Sequence, residues 1–295
     1  MRPTFPATLL ALLILAVRPA HGQPATALTI AAYNVCNLFD TLNDPGQHDM
    51  VLTPEAYRLK TAALSRVIGE LAPDIIALCE VENAGVLRDL LDTPPLDTVP
   101  YRFIHYDSPD KRGIDAALLY RADRVTSAGS EPIRIPDGYP TRDILRTEFS
   151  IAGTDKRIVV YAAHLPSHRG GYSRAARMRE MIAARLGDMA SREAPGAGVI
   201  LLGDLNDSPA SKLLRRNFPG LDCLTAEAHR QGQGSYAWRD TWQMYDHIFV
   251  NRNVRPYGNA RVFVRDWMLT RTGRFRGYPD RSVSDHLPVY VRIAF

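Results

Sequence analysis

Residues 199–209, VILLGDLNDSP, constrain the fold of this chain more than any other stretch. Four apolar residues with β-branching at the front predict a buried strand, which Gly203 ends. Asp204 and Asn206 follow at once, so that a carboxylate and a carboxamide stand at the rim of a sheet. By itself the pattern is equally typical of a polar turn before a helix that begins near residues 208–209, so the other motifs must decide.

Two strands in the first third of the chain are also predicted to end in polar side chains. Residues 28–35 alternate and indicate a first strand, with Asn34 near its end. Asparagine is uncommon in strands, so Asn34 either begins the following turn or serves as a neutral oxygen ligand for a metal. Residues 75–79 indicate a buried strand that ends at Glu80, which places a second carboxylate at a strand end.

Helices are predicted between and after these strands. Thr53 is a typical cap and Pro54 a typical first residue of a helix, and apolar residues then recur at helical spacing. We assign Glu82 to the cap of the next helix, at residues 84–91, and an arginine-rich helix to residues 173–190. This alternation of strand and helix is typical of a layered α/β protein.

Histidines and a basic loop follow two strands in the middle of the chain. Residues 112–120 and 157–164 indicate strands, and the second of them ends in His164. A single histidine at a strand end is more often structural than functional. His168 and Arg169 lie in the Gly-rich loop that follows, where they either contact a phosphate or are solvated.

Acids and a histidine also stand at the boundaries of the last strands. Residues 245–250 indicate a strand with Asp246 near its start. Asp285 and His286 stand side by side just before a closing strand at residues 289–293.

The first residues are typical of an export signal rather than of a folded element. Arg2 is followed by the apolar run 9–17 and by small residues at 20–22. The apolar run is too short for a membrane-spanning helix. We therefore expect a signal peptide at 1–22, a single domain at 23–295 with no transmembrane segment, and a periplasmic or secreted monomer.

The charge of the chain gives weak support for a polyanionic partner. Arginine supplies 32 of the 36 basic residues, and guanidinium groups bind phosphate well. Codon bias explains the same composition, and the formal charge falls from +4 to +2 once the two arginines of the signal are removed. The three cysteines, Cys36, Cys79 and Cys223, show no metal-binding spacing, and we expect buried, unpaired thiols, with no Cys36–Cys79 disulfide.

Six motifs, taken in order, resemble the endonuclease/exonuclease/phosphatase superfamily of deoxyribonuclease I-like proteins, and in particular its exported bacterial members. They are YNVCNLFD at 33–40, LCEVEN at 78–83, HLPSHRGG at 164–171, GDLND at 203–207, YDHIFV at 245–250 and SDHLPVY at 284–290. The resemblance implies an α/β four-layer sandwich, in which two mixed β-sheets pack face to face and helices flank them. It also implies a site at the edge where loops and strand ends of both sheets meet.

The resemblance further implies a metal site and a set of phosphate contacts. The metal ligands would be Asn34, Glu80 and Asp285, which are hard oxygen donors suited to Mg²⁺, with Mn²⁺ or Ca²⁺ as alternatives. The residues that would bind the substrate are Arg112, His168 and Arg169.

Catalytic roles follow from the same resemblance. His286 would contact the phosphate, Asp246 would hold its imidazole in one tautomer, and Asp204 would orient or deprotonate the attacking water. Asn206 would donate to a phosphate oxygen, and His164 would act as a second donor and as an acid for the leaving oxygen. The implied reaction is metal-assisted hydrolysis of a phosphodiester by in-line attack of water.

Three functions remain open from the sequence. An exported nuclease is the leading one, and the arginines that precede the SDH motif would then bind backbone phosphates unless they are simply solvated. These arginines are Arg265, Arg271, Arg274, Arg276 and Arg281. A phospholipid, sphingomyelin or inositol-phosphate phosphoesterase is the second. For a lipid substrate an exposed apolar hairpin is needed, and the candidates are Phe263, Trp267, Met268 and Leu269, with Phe275 and Tyr278 as a second patch. The third is an inactive binding module on the same fold.

Overall fold

The structure is a computed structural model that describes residues 27–135, 140–168 and 172–295. The expected signal peptide and Arg169 lie outside the described residues. In chain order the elements are β1 (Ala27–Leu38), α1 (Pro54–Leu71), β2 (Ile75–Val81), α2 (Ala84–Leu91), β3 (Tyr101–His105), β4 (Asp115–Arg121), β5 (Val125–Ile133), β6 (Ile144–Ile151), β7 (Arg157–His164), α3 (Tyr172–Ser191), β8 (Gly198–Asp204), α4 (Lys212–Asn217), β9 (Asp222–Cys223), α5 (Ala226–Arg230), β10 (Tyr236–Trp238), β11 (Thr241–Gln243), β12 (Asp246–Val250), β13 (Arg255–Pro256), β14 (Arg261–Val262) and β15 (Val289–Ala294).

Most strands belong to two mixed sheets. The first sheet has the order β13-β15-β1-β2-β4-β3, with β14 also paired to β15, and the second has the order β5-β6-β7-β8-β12-β9. Each sheet contains one parallel pair, β1 with β2 and β7 with β8, while the other pairs are antiparallel. Strands β10 and β11 form a separate hairpin.

The inner faces of the two sheets share one apolar core. Ile30 of the first sheet and Val160 and Leu202 of the second are fully buried in it. Leu64 of α1 packs in a second cluster on the outer face of the first sheet, and Ile182 of α3 packs in a third on the outer face of the second. Apolar burial drives this stacking of layers, which confirms the predicted four-layer α/β sandwich.

Local capping explains where the first helices begin, and it corrects one assignment. Thr53 accepts a hydrogen bond from Ala56 N at 3.2 Å and caps α1, as predicted. Asn83, and not Glu82, caps α2, because its side chain accepts hydrogen bonds from the first backbone amides of the helix. Glu82 is buried instead and accepts a hydrogen bond from Asp40 N at 2.6 Å.

The segment around 199–209 forms the predicted strand, but the following helix begins later than expected. Strand β8 extends as far as Asp204, and α4 begins only at Lys212, where the Ser211 side chain accepts a hydrogen bond from Leu214 N. Residues 205–211 are therefore a polar loop at the end of the sheet. The described residues contain no helix that is both long and apolar enough to cross a membrane.

Candidate active site

The first sheet delivers Asn34 and Glu80 to the site through two irregularities in neighbouring strands. The pairing of β1 with β2 shifts after Asn34, and the pairing of β2 with β4 shifts after Cys79. Glu80 has a φ of 68°, and Cys36 and Asn37 also have positive φ values. Such bulges redirect side chains next to functional sites, and here they place both residues in one cleft.

The second sheet delivers three residues in one row across its strands. His164 pairs directly with Asp204, and Asp204 pairs directly with Asp246. Directly paired residues project to the same face of a sheet, so the three side chains lie together. Gly203 sits beside this row with a φ of 132°, and an added Cβ would lie 2.0 Å from the carbonyl oxygen of Ala163.

Asp204 is the centre of the polar cluster. Its Oδ2 accepts a hydrogen bond from Asn34 Nδ2 at 2.9 Å and lies 3.6 Å from His164 Nε2 and 3.8 Å from His286 Nε2. Its Oδ1 accepts from Asn206 N at 2.9 Å. Burial raises the pKa of Asp204, and the nearby carboxylate of Asp246 adds to the rise, against the opposing charge of His286.

His286 forms a pair with Asp246 beside this centre. Its Nδ1 donates to Oδ2 of Asp246 at 2.6 Å, which confirms the predicted hydrogen bond. Two serines hold the pair: Ser284 Oγ accepts from His286 N at 3.0 Å, and Ser235 Oγ accepts from Asp246 N at 3.1 Å. Burial opposes the charged imidazolium, but the carboxylates of Asp246 and Asp204 outweigh it and raise the pKa of His286, as expected.

His164 is a buried imidazole of the opposite character. Burial lowers its pKa well below the usual value, and the neighbouring Arg142 and Arg112 lower it further. A neutral imidazole at this position can donate one hydrogen bond. The expected roles of His164, as a second donor and as an acid for the leaving oxygen, stay predictions.

The three expected metal ligands lie in the same cleft and offer hard oxygen atoms. Glu80 Oε2 accepts from Asn37 N at 3.0 Å, while Oε1 lies 4.0 Å from His164 Nε2. Asp285 Oδ1 lies 4.0 Å from His286 Nε2. Both carboxylates therefore keep an oxygen with no short hydrogen bond on the side of the histidines. With the amide oxygen of Asn34, this donor set fits Mg²⁺, which prefers few carboxylates and retains several waters.

The cleft has a volume of about 820 Å³, and four arginines line it around the carboxylates of the site. Arg112 and His168 line it, as predicted for contacts with a phosphate, and Arg112 donates to the side chain of Asn37. Three arginines that the sequence did not single out line it as well: Arg142, Arg174 and Arg239.

Arg142, which is partly exposed, and the buried Arg179 support the loop that carries His168. Arg142 donates to Leu165 O at 3.1 Å, and Arg179 donates to Pro166 O and Ser167 O, both at 3.0 Å. Asn206 Nδ2 also donates to Leu165 O, so one hydrogen of the amide expected to bind phosphate is already used. In the sequence, Arg179 was marked only by its place in the arginine-rich helix predicted for residues 173–190, and nothing marked Arg142.

A second group of potential metal ligands lies apart from the cleft-lining residues. Ligand atoms of His105, Asp107 and Asp115 lie within 4.8 Å of one another. His105 Nε2 is already hydrogen-bonded to Asp115 at 3.0 Å, and the Asp107 side chain is exposed. This group is therefore a hydrogen-bonded pair with an exposed neighbour, and it does not replace the oxygen donors of the cleft.

Comparison with known proteins identifies the family. Residues 29–294 match the model of the Endonuclease/Exonuclease/phosphatase family, so the chain belongs to that family. Its enzymes are hydrolases of phosphoric esters that generally use divalent metal ions. No curated protein sequence matches this chain.

Solved structures share the fold at low sequence identity. A family member from Bacteroides thetaiotaomicron has 17% identity and a TM-score of 0.65, over 92% of this chain and 96% of that chain. TDP2 of D. rerio, complexed with a single-strand DNA product, has 18% identity and a TM-score of 0.63, over 92% and 100%. A mannosyl-6-phosphatase from B. thetaiotaomicron has 17% identity and a TM-score of 0.61, over 91% and 100%. At these identities the similarity establishes the fold.

Proposed function

We propose that this protein is a divalent-metal-dependent phosphodiesterase, and specifically a nuclease that is exported to the periplasm or beyond. One observation supports the reaction above all others: two histidines converge on the carboxylate of Asp204, and three further carboxylates lie within 4.0 Å of those histidines, those of Glu80, Asp246 and Asp285. Such a cluster can bind a phosphate, orient water and stabilise negative charge in one place.

In the proposed reaction the substrate phosphate lies above Asp204. His286, held by Asp246, and the neutral His164 donate hydrogen bonds to its oxygens, which stabilises the charge that develops during in-line attack by water. Asp204 orients the water and accepts its proton while the bond from phosphorus to the leaving oxygen breaks, and that oxygen then takes a proton from solvent. Asn34, Glu80 and Asp285 would hold the metal ion, which would supply Lewis-acid polarisation of the phosphate.

The arginines of the cleft favour a polyanionic substrate over a lipid. The hairpin that a lipid enzyme requires is not formed by the expected residues, because Phe263 and Met268 are buried in the core beside α1. Trp267 and Leu269 pack partly against the same core. Of the second patch, Phe275 is 61% exposed, whereas Tyr278 packs against Trp242. One exposed phenylalanine is a small surface for membrane insertion.

The completeness of the constellation disfavours an inactive binding module. All eight metal and catalytic residues are present and are described in the structure. Of the expected arginine cluster, Arg265 pairs with Glu70, whereas Arg281 lies 3.6 Å from Asp285, which lines the cleft.

A substrate panel tests the proposal. Purified protein is incubated with plasmid, single-stranded DNA, RNA, sphingomyelin and inositol phosphates, each with Mg²⁺, Mn²⁺, Ca²⁺ or a chelator. We expect hydrolysis of nucleic acid that chelation abolishes. Glu80→Gln should weaken metal binding and activity, whereas Glu55→Gln, at an exposed position of α1, should change neither. Turnover in the chelator, or hydrolysis of sphingomyelin or inositol phosphate alone, contradicts the proposal.

A further inference from the structure

A row of rings lines the cleft and begins at the catalytic histidine. The ring centroids of His286 and Tyr236 are 4.8 Å apart, and Tyr236 stacks on Tyr245 at 5.6 Å with an interplanar angle of 24°. Tyr245 is followed by His168 at 6.4 Å. Exposure increases along the row, from the buried His286 and Tyr236 to the half-buried Tyr245 and the exposed His168. The row therefore leads from the phosphate position towards solvent.

The β10–β11 hairpin adds a further ring and a charge at the mouth of the cleft. Trp238 and Tyr236 are two residues apart on β10 and so face the same side of the hairpin. Trp238 is 46% exposed. The turn residues Arg239 and Asp240 both have positive φ, which is typical of a tight hairpin turn, and the Arg239 guanidinium lies 5.7 Å from the Trp238 ring centroid.

The exposed end of the row is held in place before any substrate binds. Arg179 is 4% exposed and donates from Nη2 to His168 Nδ1 at 3.1 Å. Guanidinium has no acceptor, so Nδ1 of His168 accepts and its proton lies on Nε2. The same guanidinium donates to Pro166 O and Ser167 O, which fixes the part of the loop that precedes His168. A fixed ring loses little entropy when a ligand stacks on it.

Aromatic faces interleaved with arginines match one class of phosphodiester. Nucleobases stack on aromatic side chains whatever their sequence, while arginines bind the backbone between them. Acyl chains offer no flat polar ring to such a surface. Inositol phosphates carry phosphates in place of an extended π face.

We infer that Tyr245, with His168 and Trp238 around it, is a stacking subsite for an unpaired nucleobase next to the scissile phosphate. This inference rests on the proposed nuclease function and adds to it the form of the substrate. Bases within a duplex have both faces covered by their neighbours, so the subsite selects single-stranded or unpaired nucleic acid.

The test compares two single-stranded DNA oligonucleotides with the same phosphate backbone. One carries thymine at every position, and the other carries abasic tetrahydrofuran residues throughout. Binding is measured by fluorescence anisotropy in the presence of chelator, and hydrolysis is measured with Mg²⁺. We expect the thymine strand to bind and to react better by roughly tenfold or more.

Variants test whether the Tyr245 ring causes the preference for the thymine strand. Tyr245→Leu should bring the ratio between the two strands close to one, and Tyr245→Phe should retain it. Tyr257→Leu, which removes a 59% exposed aromatic outside the cleft lining, should leave both rates unchanged. Trp238→Leu, at an exposed position, should reduce the ratio in part and provides a second variant if Tyr245→Leu folds poorly.

The outcomes separate this inference from the function on which it rests. Equal binding and equal hydrolysis of the two strands would overturn the stacking subsite while leaving the nuclease intact. Duplex DNA cleaved as fast as the thymine strand would also overturn it. Hydrolysis of neither strand, together with stronger binding of the thymine strand that Tyr245→Leu abolishes, would support the subsite and count against the nuclease. The assignment to a nucleobase would be overturned if mannose 6-phosphate or inositol phosphate displaced the thymine strand at a concentration lower than that of the strand.

Discussion

His286 and Asp246 connect the two sheets of the sandwich through a hydrogen bond of 2.6 Å from Nδ1 to Oδ2. Asp246 opens β12 of the second sheet, and His286 lies in the segment that leads into β15 of the first. Asp246 is fully buried, so its carboxylate acts on the imidazole in a medium of low dielectric. The pair therefore behaves as one unit whose orientation both sheets determine.

We predict that Asp246→Asn lowers turnover by roughly two to four orders of magnitude, because the imidazole loses the carboxylate that selects its tautomer. Adding His286→Ala to Asp246→Asn should reduce turnover little beyond His286→Ala alone, since residues of one unit are not additive. Steady-state kinetics of the two single variants and the double variant test this. Asp222→Asn, at an exposed position on the edge strand β9, is the control. If the two losses multiply, the residues act independently.

Gly203→Ala should destabilise the protein by about 3 kcal/mol or more and reduce activity with it. The new methyl would meet backbone rather than a flexible side chain, and the φ of 132° is unfavourable for alanine. The backbone must move to relieve the clash, and this movement displaces Asp204 and the start of the loop at residues 205–211. Chemical denaturation measures the loss. Gly220→Ala provides the comparison, since an added Cβ there meets nothing within 4 Å. Equal effects of the two substitutions would show that the close approach at Gly203 is unimportant.

The stability of the protein should fall in mild acid because of His247. This fully buried imidazole donates from Nε2 to Asp207 O at 2.9 Å and accepts from Thr225 Oγ1 at 2.7 Å. Burial lowers its pKa to about 4. The pKa of His247 in the folded state is below the unfolded value of about 6.5. The contribution of His247 to the free energy of unfolding is therefore complete above pH 6.5 and is lost as the pH falls towards 4. It amounts to about 3 kcal/mol at most.

The measurement for His247 is the free energy of unfolding as a function of pH, for the wild type and for His247→Gln. The difference between the two curves isolates this residue. That matters because burial raises the pKa of Glu82 to about 7. Glu82 therefore acts with the opposite sign in an overlapping pH range and weakens the fold as the pH rises. A difference that does not change between pH 7 and pH 4 contradicts the assignment.

Thiol titration of the denatured, unreduced protein should find three free thiols. Cys36, Cys79 and Cys223 are unpaired in the structure, which confirms that the first two form no disulfide. Cys79 is buried with Sγ 3.7 Å from Ala163 O, whereas Cys36 lines the cleft. The expectation of burial is wrong for Cys36 and Cys223, which are partly exposed. A titre of one thiol would show that two cysteines pair in the purified protein.

The sequence was sufficient to predict which side chains stand at strand ends, and much less so to predict how they meet. Periodicity and Gly203 placed Asp204 correctly, because a buried apolar strand that ends in an acid is visible without a structure. The direct pairing of His164 with Asp204 and of Asp204 with Asp246 depends on the register of three strands that are distant in the chain. Resemblance to a family, and not local pattern, brought those residues together in advance.

Other features were not predicted for a different physical reason. The positive φ of Glu80 occurs at a non-glycine residue, and only tertiary contacts such as the hydrogen bond to Asn37 N maintain it. The β10–β11 hairpin is short, and its turn residues Arg239 and Asp240 are weak turn formers compared with an Asn-Gly pair. The aromatic row was therefore missed, although Tyr245 directly precedes Asp246.

Asn34 and Asp204 belong to different sheets, so the hydrogen bond between them spans the joint of the sandwich. The width of the reaction centre is consequently fixed by the thickness of the hydrocarbon layer between the sheets, to which Ile30 and Val160 contribute. Protein interiors are close-packed and transmit strain, so removing a methylene from that layer changes the distance between Asp204 and His286 without touching either residue. In this protein the spacing of the candidate site is a dimension of the core.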